Sequence, residues 1–277
     1  MDVDPRVAIV TGAARKGGIG RAIARRLLRD GMRVTISDVA KAPETHPDYE
    51  VPSPSELEEA AAELSQYGEV QAVTCDVRKA DQVEAMFIAT VDRFGRVDVL
   101  VNNAGLAVGL KPVTELSEED WRLNLDVMAT GVFLCSRAAA RHMLKRGQGG
   151  RIITIASQAG KTGMALLAAY CSAKFAVIGF TQSLAQELGP EGITVNAVCP
   201  GTVSTPLLSV KGGVFDAYTK LTGLSVEDYT RRLMRTIPLR RFATPEDIAA
   251  AVGFLASNEA SYITGEAINV TGGQEMH

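Results

Sequence analysis

At 277 residues, with 46% hydrophobic and 22% charged content, the chain has enough apolar material for one large α/β core rather than two small ones. A net charge of -3 and a pI near 5.7 exclude the basic face that a nucleic-acid groove requires, and no apolar run reaches the ~18 residues of a bilayer span. Cys75, Cys135, Cys171 and Cys199 are widely spaced and the three histidines are scattered, so no disulfide framework or metal site is expected. The acidic start Met1-Asp2-Val3-Asp4 does not have the form of a signal peptide, and a cytoplasmic protein is expected.

Short uninterrupted apolar runs predict strands at 6–11, 33–38, 70–75, 97–102, 151–156, 194–199 and 267–270. Amphipathic patterns predict helices near 18–30, 54–66, 80–94, 117–145, 168–188 and 244–255. Regular strand–helix alternation gives a single α/β domain over 1–277, doubly wound, with a parallel sheet of about seven strands and helices on both faces. Two stretches break the rhythm. Residues 41–54, with Pro43, Pro47, Pro52 and Pro54, read as an insertion loop. Residues 205–240, including Lys211-Gly212-Gly213 and scattered Phe215, Tyr218 and Tyr229, read as a substrate lid.

The first predicted strand runs into Thr11-Gly12-Ala13-Ala14-Arg15-Lys16-Gly17-Gly18-Ile19-Gly20, which opens a helix. Glycines admit the tight turn and let backbone amides approach a phosphate at the helix N-terminus, making Gly12, Arg15, Gly18 and Ile19 candidate contacts. Asp38 closes the second strand 18 residues after Gly20, near the spacing at which a carboxylate meets an adenosine ribose. That carboxylate favours NAD; Arg15 and Lys16 could pair with the 2′-phosphate of NADP and pull the other way.

Further along come Ser157, Tyr170 and Lys174. Tyr170 and Lys174 stand four residues apart in a predicted helix, hence on one face. An ammonium about 4 Å from the phenol contributes roughly 4 kcal/mol at an effective dielectric of ~20, or roughly three pKa units. That would bring a phenolate into working range for acid/base chemistry, with the Ser157 hydroxyl holding the substrate oxygen.

These residues, with Asp76-Val77, Asn102-Asn103-Ala104-Gly105, Asn196 and Pro200-Gly201 before Thr205, resemble the short-chain dehydrogenase/reductase family over essentially the whole chain. The resemblance implies a Rossmann fold in which Asp76 and Val77 contact adenine, Asn103 lines the cofactor cleft, and Val203 and Thr205 meet the nicotinamide carboxamide. It makes Tyr170 the general acid/base, Lys174 its pKa-lowering partner and ribose ligand, and Ser157 the substrate-positioning group. Asn102 is expected to tie the sheet together, and Asn196 to serve local hydrogen bonding.

Two features depart from the family pattern. The glycine turn is two residues longer than usual, and Met128 occupies the slot, seven residues after Trp121, where many members carry an asparagine that orders a relay water. Either Asn124, one helical turn earlier, or a carbonyl exposed at a helix kink would support a rearranged relay; otherwise the relay is absent.

Ser157-Gln158-Ala159-Gly160 looks most like polyol, sugar and acetoin/butanediol dehydrogenases, with Gln158 placed either to bond a second hydroxyl or to face solvent. An apolar flank of Leu106, Val108, Met164, Leu166 and Leu167 would also suit a more hydrophobic ketone. A 3-oxoacyl-thioester reductase and a weakly catalytic NAD(H)-binding sensor or assembly protein are the alternatives. The insertion after Asp38 resembles branches that hold their nicotinamide cofactor tightly. The family habit of pairing the helices near 117–145 and 168–188 implies a homotetramer.

Overall fold

The computed structural model describes residues 5–39, 41–209 and 213–277; residues 1–4, 40 and 210–212, including Lys211 and Gly212 of the predicted lid, lie outside the described residues. Seven parallel strands form one sheet: β1 (Val7–Thr11), β2 (Arg33–Asp38), β3 (Val70–Thr74), β4 (Val99–Asn102), β5 (Gly150–Ile155), β6 (Ile193–Pro200) and β7 (Ala267–Val270). Their order is β3-β2-β1-β4-β5-β6-β7, so the winding reverses between β1 and β4, where a crevice opens at the carboxyl ends of the strands.

Successive side chains on a strand point to opposite faces. Ala8 and Val10 therefore join one core layer while Ile9 joins the other, and Val99 and Val101 separate from Leu100 in the same way. The first layer is closed by α1 (Ile19–Arg29), α2 (Pro54–Leu64) and, further along the chain, a helix at Pro245–Ala256. α3 (Ala80–Phe94), α5 (Gly131–Arg146) and α6 (Ala168–Leu188) cover the other face, with α4 (Glu118–Leu125) leading into α5. The sheet and its two helical layers are as the sequence implies.

The single helix predicted over 117–145 is interrupted. Between α4 and α5 the backbone forms a π-turn, Asp126–Thr130, where the Gly131 amide reaches back to the Asp126 carbonyl. Met128 sits inside that turn, buried. The weakly periodic stretch read as a lid contains three short helices: α7 (Pro206–Ser209), α8 (Val214–Thr222) and α9 (Val226–Thr236); α10 is then Pro245–Ala256. No described helix is long and apolar enough to cross a membrane.

Candidate active site

The first wall of the crevice is the glycine turn. Gly12 has φ +66°, and a Cβ there would stand 2.7 Å from the Ala104 Cα. Asn103 Nδ2 donates to the carbonyls of Thr11 (2.9 Å) and Gly12 (2.8 Å), pinning the turn to the end of β4. Asn103 does line the cavity, but its amide is spent on the turn. α1 then starts at Gly18 with no side-chain cap, leaving first-turn N–H groups and the positive end of the helix dipole for an anion.

Asp38 ends β2 beside this turn, its carboxylate accepting from the Ala14 (3.0 Å) and Val39 (2.9 Å) amides. Burial pushes its pKa up, while the two amides and Arg15 oppose that shift. Arg15 donates to the Glu50 carbonyl at 2.6 Å, so this cation is tied to the insertion. Asp76 and Val77 lie on the same wall, and Arg78 grips the Asp76 carboxylate through Nε (2.9 Å) and a terminal nitrogen (2.6 Å), holding it below the usual carboxylate range despite burial.

The insertion is a strap over the crevice, where the proline pattern alone suggested a surface loop. Pro43, Tyr49, Glu50, Val51 and Pro52 line the cavity. His46 Nε2 lies 2.8 Å from Asp120 Oδ1 on α4, and Asp120 also meets Lys111 Nζ at 3.1 Å. Tyr49 packs against Leu106, Val108 and Leu123, with its phenol hydrogen-bonded to the Ala107 backbone.

The opposite wall carries the acid/base candidates. Ser157 follows β5, and its Oγ accepts from the Ala159 amide at 3.1 Å as a 3₁₀ turn begins. That turn packs directly on α6, because a Cβ at Gly160 would lie 2.7 Å from the Lys174 carbonyl. The serine is thereby held against the helix bearing Tyr170 and Lys174. Lys174 Nζ donates to the Ile155 carbonyl at 2.8 Å and sits 5.6 Å from the Tyr170 ring centroid.

The spacing argument predicts a depressed phenol pKa, and this structure gives the reverse. Burial pushes Tyr170 up to about 12, against a hydrogen bond with Ser157, and pushes Lys174 down to about 8. Desolvation is the largest influence on each group, and it disfavours the phenolate and the ammonium alike. Cys171 is buried with its thiol pushed up, which suits packing and not nucleophilic chemistry.

All these elements meet in one cavity of about 660 Å³ that Gly12, Arg15, Gly18, Ile19, Asp38, Asp76, Val77, Asn103, Ser157, Gln158, Tyr170, Lys174, Val203 and Thr205 help to line. Gln158 does not face solvent: it is buried, with its Oε1 unpartnered. Of the predicted apolar flank, Leu106, Met164 and Leu167 reach the wall, while Val108 packs behind it with Leu123 and Leu166 is not part of the lining.

Asn124 does not reach the cavity. Its Nδ2 donates to the Val108 and Asp120 carbonyls, at 3.1 and 2.8 Å, so it fixes a loop to α4 and does not replace the missing amide. Met128 lines the cavity instead, beside Gly105. Asn102 does tie the sheet, donating to Ser136 (3.0 Å) and Thr154 (3.3 Å), whereas Asn196, expected to bond locally, donates to the Ile263 carbonyl and accepts from the Glu266 amide, joining β6 to the loop before β7. Arg78 and Gln274 are wall residues that the sequence did not point to, while Leu207, Leu208 and Leu233 come from the stretch read as a lid.

Residues 12–275 match the family model described as Enoyl-(Acyl carrier protein) reductase. A short-chain dehydrogenase/reductase of Armillaria gallica is 39% identical over 269 residues, covering 97% of this chain and 95% of the relative. The chain belongs to the short-chain dehydrogenase/reductase family.

Its relatives in the family carry divergent names. Galactitol 2-dehydrogenase of Agrobacterium fabrum is 36% identical with 100% of both chains covered. The 3-oxoacyl-[acyl-carrier-protein] reductase of Synechocystis is 39% identical, covering 98% of this chain and 97% of the relative. Among solved family structures, a single-residue variant of actinorhodin polyketide ketoreductase with NADPH superposes with TM-score 0.89 at 38% identity, covering 99% and 98% of the two chains. Carveol dehydrogenase from Mycobacterium avium with NAD gives 0.90 at 30%, covering 98% of each. The short-chain dehydrogenase/reductase identity makes this chain an oxidoreductase that uses a nicotinamide cofactor; NAD or NADP, and the substrate class, are left open by these names.

Proposed function

We propose that this enzyme catalyses reversible oxidation of a secondary alcohol to its ketone with NAD, and that Tyr170 is the proton-transferring group. The observation that carries this reading is the shared cavity, in which Ser157, Tyr170 and Lys174 face a crevice bounded by the glycine turn and Asp38. The cavity fits a dinucleotide: the uncapped start of α1 suits a pyrophosphate, and the half-buried Asp38 carboxylate on the wall suits a ribose diol. Lys174 would hold the nicotinamide ribose, with Asp76 and Val77 at the adenine and Val203 and Thr205 at the carboxamide. NAD is favoured over NADP because Asp38 repels a 2′-phosphate, Arg15 is engaged by the Glu50 carbonyl, and Lys16 is not part of the cavity wall.

When bound, the oxidised cofactor takes up the two electrons and the hydrogen released from the carbinol carbon, so that alcohol and NAD⁺ give ketone, NADH and a proton. Tyr170 accepts that hydroxyl proton during oxidation and returns a proton to the alkoxide oxygen during reduction. Ser157 donates to the same oxygen and fixes its distance from the phenol. Gln158 Oε1, an orphan acceptor on the wall, is placed to receive a hydrogen bond from a donor beside the reacting carbon. A spectrophotometric screen of secondary alcohols, diols, sugars and ketones with both NAD and NADP tests this function. Turnover confined to NADP would refute the cofactor assignment, and none with any substrate would refute the enzyme.

The strap bears on cofactor exchange. A dinucleotide lying under residues 41–54 leaves only when the His46–Asp120 and Arg15–Glu50 contacts open. NAD is therefore expected to survive purification and extensive dialysis, and His46→Ala to release NADH about tenfold faster in stopped-flow fluorescence. Release at the same rate from both proteins would show that the strap does not hold the cofactor. The same reading takes α5 and α6, where Phe133 and Phe175 are exposed, as the face that pairs further copies into a tetramer. Light scattering is expected to give four times the 29.4 kDa chain mass.

A further inference from the structure

Pro206, Leu207, Leu208 and the helices α8 and α9 as far as Leu233 close the end of the cavity beyond Tyr170, and every residue they contribute to the wall is either apolar or a tyrosine. Tyr218 on α8 packs on the Ala159, Leu167 and Cys171 cluster that also carries Tyr170, and donates to the Ala165 carbonyl at 2.8 Å, which anchors the lid beside the acid/base site. Tyr229 on α9 stacks on Tyr218, with ring centroids 5.6 Å apart and planes inclined by 14°. Phe215 meets Tyr229 edge-on at 5.9 Å and 75°, so the stack is backed by a third ring and held rigid.

Such a wall is poorly matched to an open-chain polyol, which bears a hydroxyl on every carbon and needs a partner for each when buried. It matches a flat apolar ring, whose face gains dispersion and removal from water against tyrosine. Resting on the alcohol/ketone reading above, we propose that the substrate is an alicyclic or aromatic secondary alcohol, or its ketone, with its ring held against the Tyr218–Tyr229 wall and its carbinol carbon at Tyr170.

The test uses the purified full-length enzyme with 1-tetralol and 1-tetralone as ring probes, and a hexitol and butan-2-ol as open-chain ones. Turnover is measured together with binding of 1-tetralone in the presence of NAD by calorimetry. The expected result is saturable binding of 1-tetralone and a kcat/KM for 1-tetralol at least about tenfold above that for the hexitol. Tyr229→Ala is expected to lower the ratio of kcat/KM for 1-tetralol over butan-2-ol about tenfold, mainly through KM, and Tyr229→Phe to restore it. Binding of 1-tetralone without turnover of any alcohol or ketone would uphold the ring wall and sink the oxidoreductase chemistry assigned to the site. Preference for the hexitol would overturn the ring assignment while leaving that chemistry standing. Failure of 1-tetralone both to bind and to react would also overturn it.

Discussion

Tyr170→Phe is expected to lower kcat in both directions by about 10²–10⁴-fold while leaving NADH affinity within about twofold. The substitution removes one oxygen, the partner of Ser157, and the ring still fills its place on α6. What disappears is the group on this wall that can hand a proton to an alkoxide beside Ser157. The pH dependence gives a sharper check. With the phenol pushed up to about 12 by burial, it is protonated across the neutral range in the unliganded chain. It is thus ready as an acid for ketone reduction and scarce as a base for alcohol oxidation. Oxidation should therefore accelerate as pH rises toward the phenol pKa and reduction should slow, and Phe at this position should flatten both profiles. A variant keeping more than about a tenth of wild-type kcat would remove Tyr170 from the mechanism.

The phenol also illustrates what spacing can and cannot convey. That Tyr170 and Lys174 share a helix face was legible, since four residues is one turn and α6 runs through both. Their electrostatics were not, because desolvation, the largest influence on both groups, is set by residues far away in sequence. The sheet was legible for the opposite reason: its central strands β1, β4, β5 and β6 are short, mainly apolar runs buried throughout, a local signal that no distant contact has to complete. The π-turn at Asp126–Thr130 had no such signal, because neither proline nor glycine occurs between Asn124 and Thr130 to mark a break. α9 did carry a helical signal, because Val226, Tyr229, Leu233 and Met234 recur at i, i+3, i+7 and i+8, but over only about three turns it was read as part of one irregular stretch. The strap is the extreme case. Its prolines marked a loop, but its course is fixed by His46 reaching Asp120, a partner 74 positions away.

Gly20→Ala should be among the most damaging single-methyl additions to this chain, although Gly20 lies in the regular first turn of α1, where alanine is ordinarily the better residue. A Cβ at Gly20 would stand 2.4 Å from the Gly12 carbonyl oxygen and 2.6 Å from Asn103 Nδ2. Those two atoms form the 2.8 Å hydrogen bond that pins the glycine turn to β4, so the methyl is driven into the clamp itself. Overpacking costs about 1–3 kcal/mol, and an unsatisfied buried partner about 1–3 kcal/mol more. Together they project to a Tm loss of roughly 4–24 °C at about 2–4 °C per kcal/mol. Displacing the turn also withdraws the start of α1 from the pyrophosphate position, so NAD affinity should fall by at least about tenfold. Gly189→Ala is the matched control: φ is -53° and nothing lies within 4 Å of its Cβ position, so Tm and NAD affinity should barely change. Calorimetry and NAD titration of the two variants separate the alternatives. If Gly20→Ala behaved like Gly189→Ala, the turn would be free to move, and the case for a preformed dinucleotide cradle between β1 and β4 would fall with it.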